Sequence, residues 1–134
     1  TETPGNIEHL ADPFGGSGTT ALAGQFLGVR PTTIEVNPYL ADLIEAKIAP
    51  IDVDAAAVAF GRVVERVGKA EAMTIPKFRG APATFVEPGV KGRFIFWRDV
   101  ACRLVAYRSA IELEPDETVK RLFKVILASA TVPA

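Results

Sequence analysis

The sequence predicts an α/β fold in which a strand–helix–strand unit is followed by additional helices. Three observations predict it: a glycine-rich turn before a helix-forming segment, a β-branched run after that helix, and apolar residues at helical spacing further along. The length of 134 residues matches one compact domain, and 49% hydrophobic with 23% charged residues excludes wholesale disorder. We expect two regions of that domain, residues 1–73 and residues 74–134.

The first region contains the strand–helix–strand unit. Residues 7–14 mix apolar positions with a terminal Asp-Pro-Phe, which predicts a buried strand ending at Asp12. Glycine and serine follow at once, and from Thr19 the composition favours a helix that Gly28 closes. The β-branched run at residues 32–36 predicts a second strand. A strand, turn, helix and strand within about 30 residues form one βαβ unit with parallel strands.

Two helices are predicted after the second strand. Asn37 is placed to cap the first, with Pro38 in the first turn, where a missing N–H is harmless, and Pro50 ends it. Asp52 or Asp54 would cap the second. Its apolar residues recur at helical spacing and predict an amphipathic packing helix: Phe60, Val63, Val64 and Val67.

The second region is predicted to open with an inserted loop or hairpin and to continue with two helices. Residues 74–91 are irregular and rich in proline and glycine, and residues 94–97 predict a short strand after a turn. We expect helices over about residues 99–113 and 115–129, the latter opened by Pro115 with Asp116 and Glu117 in its first turn.

Composition excludes several classes of protein. The longest apolar stretch is interrupted by polar residues and is far shorter than the about 20 residues that cross a bilayer, so no membrane partner is expected. The single cysteine, Cys102, excludes an internal disulfide and a multi-thiolate zinc site, and the single histidine, His9, argues against a metal site. A cytoplasmic location is the expectation. Because the sequence lacks an initiator Met, we also expect a fragment or a processed product.

The glycine turn, Asp12-Pro13-Phe14-Gly15-Gly16-Ser17-Gly18-Thr19-Thr20, carries the functional information. Glycines at a strand-to-helix turn permit a sharp bend and the close approach of a ligand to free N–H groups. A nucleotide-triphosphate loop requires a lysine after its last glycine, and here threonine follows. A hydrolase nucleophile elbow requires a second flanking glycine where Thr19 stands. A dinucleotide turn of the Gly-x-Gly-x-x-Ala form remains open on spacing.

Two acidic residues favour a third ligand class. Asp12 lies at the predicted end of the first strand, where a carboxylate helps to hold an ammonium group, directly or through water. Glu35, near the end of the second, is placed to accept both hydroxyls of a ribose. S-adenosylmethionine carries an ammonium group and a ribose diol but no phosphates. An anionic rim suits this sulfonium cofactor better than a pyrophosphate.

These residues closely resemble the cofactor motif of the DNA N4-cytosine and N6-adenine methyltransferases. That family has Asp-Pro-Phe-x-Gly-Ser-Gly-Thr, a helix ending in Leu-Gly, and an apolar strand with Gly-Ile-Glu-x-Asn-Pro. The resemblance covers about residues 7–48, with Pro31-Thr32-Thr33 replacing the usual aromatic or apolar residues. It implies a partial Rossmann-like methyltransferase fold with extra C-terminal helices. The cofactor-binding residues that it implies are Asp12, Pro13, Phe14, Gly16, Ser17, Gly18, Thr19, Thr20, Glu35, Asn37 and Pro38.

The catalytic element of that family is missing from this sequence. In the family, a Ser, Asp or Asn followed by Pro-Pro and an aromatic residue holds the target amino group and stacks on the flipped base. No Pro-Pro pair occurs here, so no catalytic residue is predicted and the element would lie beyond Ala134. The resemblance therefore implies the cofactor-binding part of a DNA methyltransferase, inactive alone and completed by the remainder of the enzyme or a second chain.

Charge is distributed unevenly along the chain. The net charge is −1 overall but −5 over residues 1–67 and +4 over residues 68–134. Residues 69–108 hold eight basic and three acidic groups with aromatic residues interleaved, a pattern that permits phosphate contacts and base stacking but also fits a solvated face over a local core. The candidate DNA contacts are Lys77, Arg79, Lys91, Arg93 and Arg98. The alternatives for the chain are a non-catalytic cofactor-sensing or partner-binding module and half of an NAD-dependent oxidoreductase.

Overall fold

The computed structural model describes residues 7–69 and 81–131, which divide into two compact units. The first unit extends to Ile51 and the second begins at Asp52. The predicted boundary between residues 73 and 74 lies outside the described residues. Because the third helix has its contacts in the second unit, the division falls one helix earlier in the chain than the sequence predicts.

The first unit begins with the predicted strand–helix–strand arrangement. Strand β1 comprises His9–Asp12, helix α1 Thr19–Leu27 and strand β2 Arg30–Thr33. The strands pair in parallel, with His9 opposite Arg30 and Asp12 opposite Thr33. Gly28 ends α1 in the left-handed conformation, as predicted. A mixed α/β architecture is thus present, with two parallel strands and five helices in the described residues.

Strand β2 differs from its prediction by starting and ending earlier. The β-branched run predicted a strand at 32–36, whereas the pairing ends at Thr33. Ile34 still donates its N–H to the Asp12 carbonyl at 2.9 Å, and its own carbonyl accepts from Gly15. After Ile34 the chain leaves the strand, because the Glu35 side chain rather than its backbone bonds the glycine turn, accepting from Gly16, and its other oxygen accepts from Asn37 at the start of α2.

Helix α2, Pro38–Ile48, closes the first unit and packs against α1. Asn37 caps it as predicted, since its side-chain oxygen accepts the N–H of Tyr39 at 3.0 Å. The buried Ile44 side chain lies directly against the glycine turn. A second tie joins the helices, because the side-chain amide of Gln25 donates to the Ile48 carbonyl at 3.1 Å.

The described part of the second unit contains three helices, α3 (Val53–Lys69), α4 (Arg98–Glu112) and α5 (Glu117–Ala130). Helix α4 packs against both of the others. The core of this unit is a cluster of buried residues from all three helices: Ala59, Val63, Ala110, Ile111, Val119 and Phe123. The predicted apolar stripe of α3 is only partly correct, because Phe60 and Val64 keep large exposed fractions while Ala59 is buried.

Aspartates begin two of these helices. The Asp52 carboxylate accepts the N–H groups of Asp54 and Ala55, each at 3.0 Å, so Asp52 rather than Asp54 is the cap of α3. Asp116 likewise accepts from the first turn of α5. Helix α5 therefore begins at Glu117. The prediction that Pro115 opens it with Asp116 in the first turn is wrong, because Asp116 is the cap that precedes the helix.

Residues 81–97 form a turn-rich hairpin that leads into α4. Val90 and Arg93 exchange both backbone hydrogen bonds, and Lys91 and Gly92 between them have φ angles of +53° and +73°. Both values are left-handed, as the tight turn of a hairpin requires. The predicted strand at 94–97 is absent, because only isolated pairings such as Val86 with Phe96 form there. Within the described ranges, no helix is long and apolar enough to cross a membrane.

Candidate glycine-turn site

The site lies where both parallel strands end and the backbone turns into α1. Ligands of open parallel sheets bind at such carboxyl ends. The turn is internally bonded: Gly15 donates its N–H to the Ile34 carbonyl at 2.9 Å, and Gly18 donates its own to the Gly15 carbonyl at 2.8 Å. Gly16 and Gly18 have φ angles of +52° and +82°. Both angles lie in the left-handed region, which glycine adopts without the steric cost that other residues have there.

Clearance also requires glycine at two positions of the turn. A Cβ at Gly18 would lie 2.9 Å from Cγ1 of Ile44, and one at Gly15 would lie 3.0 Å from Cδ1 of the same residue. Both distances are shorter than ordinary van der Waals contact. The missing side chains at these two glycines therefore let α2 pack closely against the turn.

Glu35 joins the end of β2 to the turn. One carboxylate oxygen, Oε2, accepts the N–H of Gly16 at 2.8 Å, and the other, Oε1, accepts the N–H of Asn37 at the same distance. The hydrogen bonds from the backbone of Asn37 and Gly16 hold the pKa of this carboxyl below its ordinary value. Glu35 is therefore ionised at neutral pH. The sequence predicted its position near the strand end but not these two bonds.

Asp12 is the second ionised carboxylate of the site. Hydrogen bonds from the Thr20 hydroxyl and the Phe14 backbone N–H lower its pKa, and the latter N–H lies 3.0 Å from Oδ1. Thr20 thus connects the first turn of α1 back to the end of β1. This contact gives the second threonine of the motif a physical role that its position in the sequence did not indicate.

Most of the remaining predicted cofactor residues lie around these two carboxylates. Pro13 and Phe14 are exposed, and Phe14 has 87% of its surface accessible. The hydroxyls of Ser17 and Thr19 lie 3.5 Å apart at the start of α1. Asn37 and Pro38 lie at the start of α2, where the Asn37 side-chain oxygen accepts the N–H of Tyr39. Val36, which was not predicted, has 92% of its surface exposed beside Glu35.

Lys47 is a further residue of the site that the sequence did not reveal. Its ammonium nitrogen lies 2.6 Å from the Ser17 carbonyl oxygen, across thirty residues of sequence. The lysine belongs to the last turn of α2. A basic residue near a helix C-terminus is commonplace and interacts with the helix dipole, so nothing in the sequence distinguishes this one.

The structure places three of the five candidate DNA contacts. Lys91 and Arg93 lie at the tip of the hairpin, and Arg98 begins α4; all three are exposed. Trp97 has 59% of its surface exposed and its ring centre lies 4.7 Å from that of Phe94. Lys77 and Arg79 lie outside the described residues. The three basic side chains and Trp97 are thus accessible in the second unit, whereas Phe94 is half-buried.

No family model, curated protein or solved structure matches this chain. In the residues that the structure describes, no group of three histidine, cysteine or acidic side chains could hold a metal ion.

Proposed function

We propose that the glycine turn binds S-adenosylmethionine and that the chain is the cofactor-binding part of a DNA amino-methyltransferase. The observation that carries the proposal is the position of Glu35 at the end of β2, with both oxygens bonded to the backbone of the site. The bound cofactor would supply an electrophilic methyl group. The residues of this chain would bind and orient it.

The bonding of Glu35 leaves it able to bind a vicinal diol. An ionised carboxylate has about four lone-pair directions, two on each oxygen. Backbone N–H groups of Gly16 and Asn37 use one direction on each oxygen. The Val36 backbone N–H also bonds this carboxylate, and the acceptor directions that remain can take hydroxyl donors of a ribose. The same backbone bonds hold the carboxylate in one orientation before any ligand arrives.

The charge of the site favours a sulfonium cofactor over a pyrophosphate. Asp12 and Glu35 are both ionised, because hydrogen bonds lower the pKa of each. Asp12 is suited to an ammonium group. The Phe14 backbone N–H and the Thr20 hydroxyl donate to its carboxylate and hold it at the end of β1. A pyrophosphate would meet two carboxylates here, offset only by the Lys47 ammonium that is bonded to the Ser17 carbonyl, which disfavours the NAD-dependent oxidoreductase alternative.

Methyl transfer requires groups that the glycine turn does not supply. An exocyclic amino group must be taken out of the base stack and clamped beside the methyl donor. Proximity and orientation of both reactants contribute about 7–11 kcal/mol of barrier reduction in favourable cases. The chain lacks a Pro-Pro-aromatic element, so we propose that the rest of a longer polypeptide or a second chain supplies it.

The exposed hairpin is the proposed DNA-contacting part of the second unit. Lys91, Arg93 and Arg98 present cations there, and Trp97 presents an exposed aromatic face. Each phosphate contact adds about 0.9 to the slope of log affinity against log salt concentration. In the complete protein, neutralising all five candidate cations, Lys77 and Arg79 included, should therefore lower both affinity and slope. If affinity and slope were unchanged, we would assign the segment to a solvated surface that makes no DNA contact.

Isothermal titration calorimetry tests the cofactor proposal directly. We expect S-adenosylmethionine and S-adenosylhomocysteine to bind more tightly than NAD. Glu35→Ala and Glu35→Gln should each weaken binding by about 10- to 150-fold, the range for hydrogen bonds to a charged group. Glu8→Gln, which changes an exposed carboxylate of the same unit, is the control and should leave affinity unchanged. Tighter binding of NAD would contradict the proposal.

A radiolabelled methyl-transfer assay on unmethylated DNA separates the enzyme part from a non-catalytic module. We expect no turnover by this chain alone and turnover when the missing element is supplied. Turnover by this chain alone that Asp12→Ala abolishes would show that no further element is needed. Cofactor binding without turnover under any completion would favour the cofactor-sensing module.

A further inference from the structure

The Ser17–Gly18 peptide is anchored at both of its polar ends. Its N–H, on Gly18, donates to the Gly15 carbonyl at 2.8 Å, and its carbonyl, on Ser17, accepts from the Lys47 ammonium at 2.6 Å. In a trans peptide these two groups point in opposite directions. The two bonds together therefore fix the rotation of this peptide plane.

This peptide plane is the part of the turn that most needs an anchor. Glycine populates positive and negative φ about equally, so peptides next to it reorient at little steric cost. Gly16 and Gly18 flank Ser17, and α1 has no side-chain cap at its first residue. Reorientation of this peptide would break the bond from the Gly18 N–H to the Gly15 carbonyl and turn the Ser17 carbonyl toward the side where that N–H had been.

We propose that Lys47 is a positioning residue that holds the glycine turn in its ligand-binding conformation. Helix α2 supports the turn in two ways: Ile44 fits against the bare Cα positions of Gly15 and Gly18, and Lys47 bonds the Ser17 carbonyl. The ammonium carries a full charge, which makes this bond stronger than a neutral one. The effect on cofactor affinity rests on the function proposed above, whereas the effect on the turn itself does not.

Amide hydrogen exchange measured by NMR tests the anchor without any ligand. In Lys47→Met, exchange of the Gly16 and Gly18 amides should accelerate about tenfold, the loss of one charge-assisted hydrogen bond. Lys47→Arg should restore slow exchange, because a guanidinium also donates to a carbonyl. Lys69→Met, at an exposed lysine of the second unit, should leave both amides unchanged. Unchanged exchange in Lys47→Met would overturn the proposal.

Calorimetry with S-adenosylhomocysteine tests whether the anchored turn is the binding conformation. Lys47→Met should bind about tenfold more weakly, and Lys47→Arg should recover most of that loss, while the melting temperature should fall by only a few degrees. Faster exchange with unchanged affinity would overturn the link to binding. If the unaltered protein binds no S-adenosylhomocysteine but exchange still accelerates, the cofactor proposal fails and the anchor stands.

Discussion

The buried residues of the two units differ in size and character. Those of the first unit are glycine or alanine, except for Ile44: Gly15, Gly18, Ala21, Gly24 and Ala46. The second unit buries larger groups, among them Val63, Ile111 and Phe123, and a complete glutamate side chain, Glu114. Close approach of backbone segments thus shapes the first unit, whereas side-chain volume and one internal ion cluster shape the second. Substitutions in the two units should therefore fail in different ways.

Glu114 carries the largest expected effect. Its side chain has no exposed surface and accepts hydrogen bonds from Arg62 at 2.5 Å and from Arg66. Removing one member of a buried ion cluster leaves the others unpaired, so Glu114→Ala should lower the free energy of unfolding by about 3–4 kcal/mol. The two arginines reach solvent, which places the value toward the lower end of the usual range. Urea unfolding followed by circular dichroism measures it.

The matched control for that substitution is another glutamate that forms an ion pair in the same unit. Glu112 lies 3.0 Å from Lys124, and both side chains are more than two-fifths exposed. Glu112→Ala should lower stability by about 1 kcal/mol or less, as exposed pairs do. Equal effects of the two substitutions would show that burial of Glu114 does not govern the stability of the helical unit.

Gly18 and Gly28 provide the corresponding test in the first unit. Both have positive φ, but a Cβ at Gly28 meets nothing within 4 Å, whereas one at Gly18 collides with Ile44. Gly28→Ala should lower stability by about 1 kcal/mol through left-handed strain alone. Gly18→Ala should lose about 2–3 kcal/mol because crowding adds to that strain. Gly18→Ala should also abolish the proposed cofactor binding, whereas Gly28→Ala should leave it intact. Similar losses of stability in the two variants would contradict the close approach of Ile44 to Gly18.

Acid should weaken the second unit through Glu114. Hydrogen bonds and charge from Arg62 and Arg66 hold the pKa of its carboxyl below the usual 4.5 despite burial. A carboxyl with a lowered folded pKa contributes stability above about pH 4.5, and this contribution is lost as the pH falls through the folded value. Urea midpoints measured from neutral pH into acid should fall more steeply in the unaltered protein than in Glu114→Gln. Parallel curves would contradict this assignment.

The smallest expected effect belongs to an exposed pair on α3. Lys69 lies 2.6 Å from Glu65 one turn earlier, and both side chains are largely accessible to solvent. Pairs of this spacing contribute about 0.3–0.5 kcal/mol. Lys69→Ala should therefore shift the urea midpoint barely, and high salt should remove the difference. A loss above about 1 kcal/mol would assign Lys69 a further contact.

Local patterns in the sequence were sufficient for most of the first unit. Gly28 and Asn37 act within a few residues of themselves, so composition and spacing were enough to predict the helix ends. The early end of β2 was not predictable, since it depends on a side chain that bonds a segment nineteen residues away. The parallel strands and the glycine turn were predicted correctly; cofactor binding by that turn stays a prediction.

The ion cluster of the second unit could not be predicted. Glu114 stands next to a proline in a short connection between helices, a setting typical of an exposed side chain. Its partners Arg62 and Arg66 precede it by 52 and 48 residues. Helical periodicity does not indicate which helices will be neighbours, so such a contact has no local signal. Lys47, thirty residues from its partner, was missed for the same reason.

Ile44 lies against both Gly15 and Gly18, but the two glycines differ in how readily alanine can replace them. The Cδ1 atom nearest to Gly15 is absent from valine, and Gly15 has an ordinary φ. Ile44→Val is thus a permissive substitution for alanine at position 15, although the neighbouring Thr33 still limits the space. Ile44→Val gives Gly18 no comparable relief, because valine keeps the Cβ and Cγ1 atoms that crowd Gly18 and the Gly18 backbone is left-handed. A coupling of valine at position 44 with alanine at position 15, but not with alanine at position 18, is the evolutionary signature that this packing would leave.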